Sequence, residues 1–279
     1  MTPVFEPSAR SLNVGRTMAL VFELLSARWL WIAALIIALG LGPSAAIRQW
    51  LHVAYHPGSH DLRAFVTHEG AALAASLFDY LASLSVIAVS LSQSGHRSAP
   101  ANAVFAAIRA LPLLVPVWVF GHATTFWDAW WSWDVHAPRS LEQLTWDVWT
   151  NLIAETALSV GLLVSVAVLP AVVLAEKRGL ATSLRAAWRL MRGSRWKVFG
   201  LYLVVQLPGF LAGLAYLSYR IGTARGGVHQ ATNPYLDWSL TVVAYATAAL
   251  WAVSLAAIYL ELNRDRGGVA LMHVADQFN

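Results

Sequence analysis

The chain has 279 residues, of which 58% are hydrophobic and 12% are charged, and it contains no cysteine. Soluble domains carry about 25% charged residues, so this composition excludes an ordinary soluble protein and predicts that lipid surrounds most of the chain. The lack of cysteine excludes disulfides, thiolate metal ligands and redox thiols. The formal net charge of +4 does not by itself indicate a type of partner, so the positions of the cations along the chain are considered below.

Long apolar stretches recur along the chain. A helix needs about 20 apolar residues to cross a hydrocarbon core of roughly 30 Å, and no stretch alternates as barrel strands do. Six spans are predicted, at residues 29–47, 70–91, 111–126, 152–175, 198–219 and 240–260. We therefore predict an all-α integral membrane protein in which residues 1–279 form a single six-helix transmembrane bundle. The leading region of 28 residues is long for a signal peptide, so the first stretch is expected to remain as a span.

Basic amphipathic segments precede the first, third and fifth spans, at residues 11–28, 101–109 and 180–197. Two of them end alike, with Arg28-Trp29 and Arg195-Trp196 at the membrane boundary. Such segments are typical of helices that lie in the interface. Residues 11–28 are therefore predicted to form an N-terminal interfacial helix, and the bundle is predicted to consist of three repeated hairpins.

The cations are distributed unevenly between the connections on the two sides of the predicted bundle. Of the 19 Lys and Arg residues, 14 lie on the side of the N-terminus and 5 on the opposite side. Because cytoplasmic loops carry the excess of Lys and Arg, both termini are predicted to be cytoplasmic. Termini on one side of the membrane require an even number of spans, in agreement with the six predicted.

Tryptophan is concentrated in the connection between the third and fourth spans. Because Trp prefers the headgroup layer of a bilayer, residues 126–149 are predicted to form one or two interfacial helices on the outer side. The candidate contact residues for a partner protein on this face are Trp127, Trp130, Trp131 and Trp133.

Arginine is the most prominent feature of the segment before the fifth span. If the segment is one helix, its arginines share one face and its large apolar residues share another, the pattern of a helix lying in the interface. The cationic face consists of Arg178, Arg185, Arg189 and Arg192, and the apolar face of Leu180, Leu184, Trp188 and Met191. Binding of anionic lipid headgroups is one interpretation, and simple anchoring of the topology is the other.

Two acids lie inside predicted spans, where charge is costly and suggests function. Asp79 is in the middle of the second span, on a face with Ser76, Ser83 and Ser90, and Glu155 is in the outer half of the fourth. No Lys or Arg occupies the centre of a span as a partner. The acids either relay a proton or cation, or they join helices through hydrogen bonds.

Other patterns point less clearly to chemistry. His52, His56 and His60 would share a helical face, but Pro57-Gly58 interrupts the helix, so no metal site or cofactor is predicted. Prolines in four places mark candidate helix breaks, at Pro112, Pro116, Pro170 and Pro208-Gly209, as at some transporter sites. Enzyme motifs are incomplete throughout, so no catalytic residue is assigned, and cations at a membrane boundary argue against a nucleic-acid partner.

The C-terminal third carries motifs of a known family. Glu176, the run Leu184-Arg185-Ala186-Ala187-Trp188-Arg189-Leu190-Met191-Arg192-Gly193, Trp196 and the ending Tyr259-Leu260-Glu261 resemble the membrane domain of bacterial glycerophosphoryl diester phosphodiesterases and its stand-alone relatives. The resemblance implies a six-helix bundle in a bacterial cytoplasmic (inner) membrane. The phosphodiesterase activity of that family belongs to a separate soluble domain and is not implied here.

The function expected from these patterns is that of a non-catalytic accessory or scaffold subunit. Its expected partners are membrane lipids, preferably anionic, and either other membrane subunits or further copies of the chain. The alternative is a proton- or cation-coupled transporter, or a metal-ion permease, that uses the intramembrane acids and the outer histidines.

Overall fold

The chain is helical almost throughout the residues that the computed structural model describes, which are 12–54, 62–92, 100–121, 165–225 and 234–264. No strand occurs within these ranges, so the prediction of an all-α protein is confirmed. The elements are α1 (Val14–Leu35), a π-helical segment (Ile36–Leu41), α2 (Gly42–Ala54), α3 (Leu62–Leu91), α4 (Pro100–Gly121), α5 (Leu169–Glu176), α6 (Leu180–Met191), α7 (Arg195–Arg225) and α8 (Pro234–Asn263).

Five helical stretches in the described ranges are long and apolar enough to cross a membrane. They are Val14–Leu51, Gly70–Leu91, Pro100–Val119, Arg195–Tyr216 and Tyr235–Asn263, and they correspond to the predicted spans one, two, three, five and six. Most of the predicted fourth span lies outside the described residues, and its last part forms α5. Several long apolar helices mark the chain as a membrane-embedded protein.

Helices α3 and α8 form the centre of the bundle. Helix α3 packs against α1, the π-helical segment, α2 and α4, while α8 packs against α1, α3 and α7. Small residues such as Ala82, Ala107 and Ala256 are buried between the helices and allow close approach of the backbones. Large apolar side chains remain exposed on α1, α4 and α7, including Trp29, Phe105 and Phe210, as expected where lipid rather than water surrounds the bundle.

The N-terminal region differs from the prediction. Helix α1 runs from Val14 to Leu35 without interruption, so residues 14–28 continue into the first predicted span instead of forming a separate helix that ends at Arg28. No Gly or Pro lies between Arg16 and Leu39 to end the helix. The Arg28 guanidinium donates to the Val89 carbonyl oxygen and to Ser92 Oγ at the end of α3.

The prolines break the helices less often than predicted. Helix α4 continues through Pro112 and Pro116, and α7 continues through Pro208. Of these predicted breaks, Pro170 alone marks a helix boundary, at the first turn of α5, where a proline loses no intrahelical hydrogen bond. The clearest departure from α-helical geometry among these spans is instead the π-helical segment Ile36–Leu41, which was not predicted.

Candidate functional site

Asp79 is the centre of a polar cluster inside the bundle. Its Oδ1 atom accepts a hydrogen bond from Ser44 Oγ at 3.0 Å and one from the Tyr245 hydroxyl at 2.6 Å. The three residues come from α3, α2 and α8, and Ser44 is buried. Asp79 precedes the end of α3 at Leu91 by about 18 Å along the helix axis, near the middle of a roughly 30 Å hydrocarbon core.

Gly40 completes this Asp79 cluster. A Cβ atom at Gly40 would lie 2.8 Å from Tyr245 Cε1 and 3.5 Å from Asp79 Oδ1. Carbon atoms approach best at about 3.5–4.0 Å, so the Tyr245 ring can pack here only because residue 40 has no side chain. Gly40, Ser44, Asp79 and Tyr245 are called the Asp79 cluster below.

The π-helical turn beside the Asp79 cluster is explained by the local sequence. The Gly42 amide donates to the Ile37 carbonyl oxygen, five residues earlier. Pro43 follows at once, and a proline inside a helix lacks an N–H and crowds the carbonyl four residues before it. A widened turn relieves that conflict, and such π-bulges occur frequently at functional sites.

The geometry of the cluster suits two kinds of chemistry. Two hydroxyl donors on one carboxylate oxygen join α2, α3 and α8, which is what structural hydrogen bonding requires. A mid-span carboxylate with two hydroxyls also offers oxygen atoms to a proton or a hard cation. Among the described residues no Lys or Arg forms an ion pair with Asp79.

The polar face predicted on α3 is only partly a bundle-facing surface. Ser90 is fully buried, whereas Ser76, Asp79 and Ser83 are half-buried. Ser76 and Ser83 donate to the carbonyl oxygens of Leu73 and Asp79 in their own helix. Of this face, Asp79 is therefore the residue that bonds to neighbouring helices.

The four predicted lipid-binding arginines do not share one helical face. Arg178 precedes α6 and pairs with Glu176 at 3.2 Å between Nε and Oε2, because Lys177 turns the chain in a left-handed conformation, with φ of 47°. Arg192 follows α6 in an extended conformation. Only Arg185 and Arg189 lie on the helix, one turn apart, and both are exposed.

The predicted apolar face of α6 is also divided. Met191 is buried, whereas Leu184 and Trp188 are 42% and 49% exposed. The face that packs into the protein consists instead of Ser183, Ala186, Ala187, Leu190 and Met191. Small side chains allow α6 to approach the bundle closely, and the large apolar residues remain outside.

Contacts at the ends of α5 and α8 involve the motif residues of the C-terminal third. The Tyr259 hydroxyl donates to Glu176 Oε1 at 3.4 Å, and Glu261 pairs with Arg16 at 3.5 Å and with Arg264 at 3.9 Å. The motifs thus join α1, α5 and α8. No family model, curated protein or solved structure matches the chain. The resemblance to the phosphodiesterase membrane domain therefore stays a prediction.

Several predicted site residues lie outside the described residues, namely Glu155, His56, His60, Trp127, Trp130, Trp131 and Trp133. His52 lies on α2. Within the described ranges, no group of three or more His, Asp or Glu side chains is arranged to hold a metal ion. The Asp79 cluster is thus the candidate site that the described residues define.

Sequence reasoning found Asp79 but missed its partners. Ser44 and Tyr245 lie 35 and 166 residues away from Asp79, and neither belongs to a motif. One local signal was available in the run Gly40-Leu41-Gly42-Pro43 inside the first span, because a proline beside glycines within a helix indicates an irregular turn. That signal could have located the π-helical segment, although not the residues that face it.

Proposed function

We propose that this protein is a non-catalytic membrane subunit that acts as an accessory or scaffold component through contacts with lipids and other proteins. The observation that carries the proposal is that the Asp79 side chain accepts hydrogen bonds from two neighbouring helices. Ser44 and Tyr245 both donate to it, so the mid-span acid joins three helices of the bundle. Exposed apolar side chains on α1, α4 and α7 leave ample surface for lipid and for a partner.

The test of the scaffold proposal is purification at native expression level in mild detergent, followed by native mass analysis of the intact assembly. We expect a stoichiometric protein partner, or a defined homo-oligomer, to accompany the chain. Asp79→Asn is expected to leave this assembly intact, because an asparagine carbonyl oxygen still accepts from both hydroxyls. A chain that purifies only as a monomer would refute the proposal.

A second function, proton- or cation-coupled transport, is favoured by one specific observation. The π-helical segment lies directly beside the mid-span carboxylate, since a Cβ at Gly40 would lie 2.8 Å from Tyr245 Cε1 and 3.5 Å from Asp79 Oδ1. Carboxylates at membrane depth line ion and proton pathways, and a π-bulge supplies a deformable turn. Transport by this route would move a proton or a cation to and from the Asp79 oxygen atoms.

Flux into proteoliposomes tests this second function. We expect Asp79→Asn to abolish any coupled flux, while the matched control Asp237→Asn leaves it unchanged, because Asp237 lies in the first turn of α8, away from the cluster. Equal flux for both variants and the unaltered chain would exclude a relay through Asp79. Folding is compared by helical content, so that loss of flux is not mistaken for loss of structure.

The proposed topology is six spans in three hairpins, with both termini in the cytoplasm of a bacterial inner membrane. The uneven distribution of cations and the resemblance of the C-terminal third support this arrangement. Since the chain has no cysteine, single cysteines can be introduced without removing others. Gln49→Cys and Ala181→Cys, both exposed, are expected to react with impermeant reagents from the outer and the cytoplasmic side respectively. The reverse result would overturn the topology.

A further inference from the structure

Helix α6 presents three different surfaces along its 12 residues. One surface is buried in the protein, as described above. A second carries the exposed apolar side chains Leu184 and Trp188, and a third carries the exposed cations Arg185 and Arg189. Because these positions differ by one and by four residues, the apolar pair and the cationic pair lie side by side on the helix.

The cations on α6 have no carboxylate partner among the described residues. No acidic residue lies between Glu176 and Asp237 in the sequence, and Glu176 is paired with Arg178. In the described part of the chain, no carboxylate forms an ion pair with Arg185 or Arg189. Arg189 Nε donates to the Arg185 carbonyl oxygen at 3.4 Å, so the Arg189 side chain turns back along the helix toward Arg185.

The position of α6 along the chain places it at one end of the spans. At 12 residues it is only about 18 Å long, too short to cross the membrane, and it joins the end of buried α5 to the start of spanning α7. Trp196, in the first turn of α7, is 83% exposed. Tryptophan at a span end lies at the level of lipid headgroups, so the adjacent α6 lies at this level too.

Trp188 is held in place on this surface. The Arg195 guanidinium lies over its ring, 3.9 Å from the centroid, in a cation–π contact. The contact joins α6 to the first turn of α7. The exposed Trp188 ring therefore lies beside two guanidinium groups that form no ion pair within the described ranges, so one surface offers both an apolar contact and two anion-binding groups.

We propose that α6 binds an anionic phospholipid, with the lipid phosphate between Arg185 and Arg189 and the glycerol and upper acyl chains against Leu184 and Trp188. Guanidinium groups suit phosphate because they donate two parallel hydrogen bonds. The neighbouring apolar side chains select a lipid rather than a soluble anion. This inference deepens the proposed lipid contacts and rests on the proposed function only in placing α6 at a bilayer surface.

The experiment uses the purified full chain in bilayers that contain equal parts of phosphatidylglycerol and phosphatidylcholine. Transfer into mild detergent is followed by native mass spectrometry of the lipids that remain bound. The unaltered chain is expected to retain phosphatidylglycerol preferentially. Arg185→Gln with Arg189→Gln is expected to lower the ratio of retained phosphatidylglycerol to phosphatidylcholine by about fivefold per arginine, which corresponds to ~1 kcal/mol for each cation.

A charge-matched control separates a site from general attraction. Arg178→Gln with Arg264→Gln removes the same charge, but both of these arginines already pair with carboxylates, so this variant is expected to retain lipid like the unaltered chain. Arg185→Lys with Arg189→Lys keeps the charge and is expected to restore only part of the preference, since lysine cannot donate two parallel hydrogen bonds.

Three results would overturn the inference. They are equal ratios for the Arg185/Arg189 double variant and the unaltered chain, equal losses in the control variant, and displacement of the bound lipid by inorganic phosphate at millimolar concentration. The readout needs no partner protein. A negative result in the lipid-retention experiment therefore does not affect the scaffold proposal, and the absence of a partner protein does not affect the lipid-retention result.

Discussion

Substitution of Gly40 by alanine tests whether the Asp79 cluster stabilises the bundle. The added Cβ would lie 2.8 Å from Tyr245 Cε1, where carbon atoms approach best at about 3.5–4.0 Å. The ring must move by several tenths of an ångström, and its hydroxyl donates to Asp79 over only 2.6 Å. The substitution is therefore expected to strain the packing and weaken this hydrogen bond together.

The magnitude follows from three contributions. Overpacking costs about 1–3 kcal/mol, and an interhelical hydrogen bond in a membrane contributes about 0.6 kcal/mol on average and about 1.7 at most. Replacing a helical glycine by alanine stabilises the helix by roughly 0.8–1 kcal/mol, because alanine has the higher helix propensity. The expected net loss in the free energy of unfolding is about 2 kcal/mol.

The assay is unfolding of the detergent-solubilised protein by added dodecyl sulfate, followed by helical circular dichroism. Gly213→Ala on α7 is the control, because a Cβ there meets no described atom within 4 Å, and it is expected to be neutral or stabilising. In a Tyr245→Ala background, Gly40→Ala is expected to leave the free energy of unfolding unchanged, since the other contacts of the new Cβ are at 3.5 Å. Equal behaviour of Gly40→Ala and Gly213→Ala in the unaltered background would refute the reasoning.

Four further substitutions have expected outcomes, three in the same unfolding assay and one in limited proteolysis. Tyr245→Phe removes the hydroxyl and is expected to lower the free energy of unfolding by about 0.6–1.7 kcal/mol. A loss below about 0.3 kcal/mol would show that this hydrogen bond does not stabilise the bundle. Arg28→Gln removes the donors to the end of α3 and is expected to cost about 2 kcal/mol, whereas Arg16→Gln, which breaks only a partly exposed ion pair, is expected to cost less than about 1 kcal/mol. Ser194→Ala removes the acceptor of the Leu12 amide, at 2.9 Å, and is expected to speed proteolysis near residue 12; an unchanged cleavage rate would contradict a role of Ser194 in holding this segment.

The arginine-rich segment shows why a correct helix prediction can still place side chains wrongly. Helical periodicity assumed one uninterrupted helix from Arg178 to Arg192. The left-handed backbone at Lys177 and the extended backbone at Arg192 remove both end residues from it. Which face of the remaining helix is buried depended on Ala186 and Ala187 fitting against the bundle, and small residues carry little periodic signal.

Arg28 shows the same limit in the first helix. A basic residue before an apolar run indicates a membrane boundary, and that reasoning predicted a separate interfacial helix up to residue 28. In the structure the helix continues, because Ser92 and the Val89 carbonyl oxygen lie within reach of the guanidinium. These partners are 61 and 64 residues away, so local sequence did not indicate them.

The sequence by itself determined the all-α class of the molecule, five of its long apolar helices and the position of Asp79 within the second of them. Composition and the length of apolar runs decide these features, since a bilayer accepts only helices or closed barrels and penalises charge at its centre. Tertiary structure alone decided what Asp79 bonds to, that Gly40 must lack a side chain, and which side of α6 is buried. Those features depend on atoms that are distant in sequence and meet only when the helices pack. Lipid is as apolar as the helix faces, so hydrophobicity alone does not indicate which face of a helix contacts its neighbours.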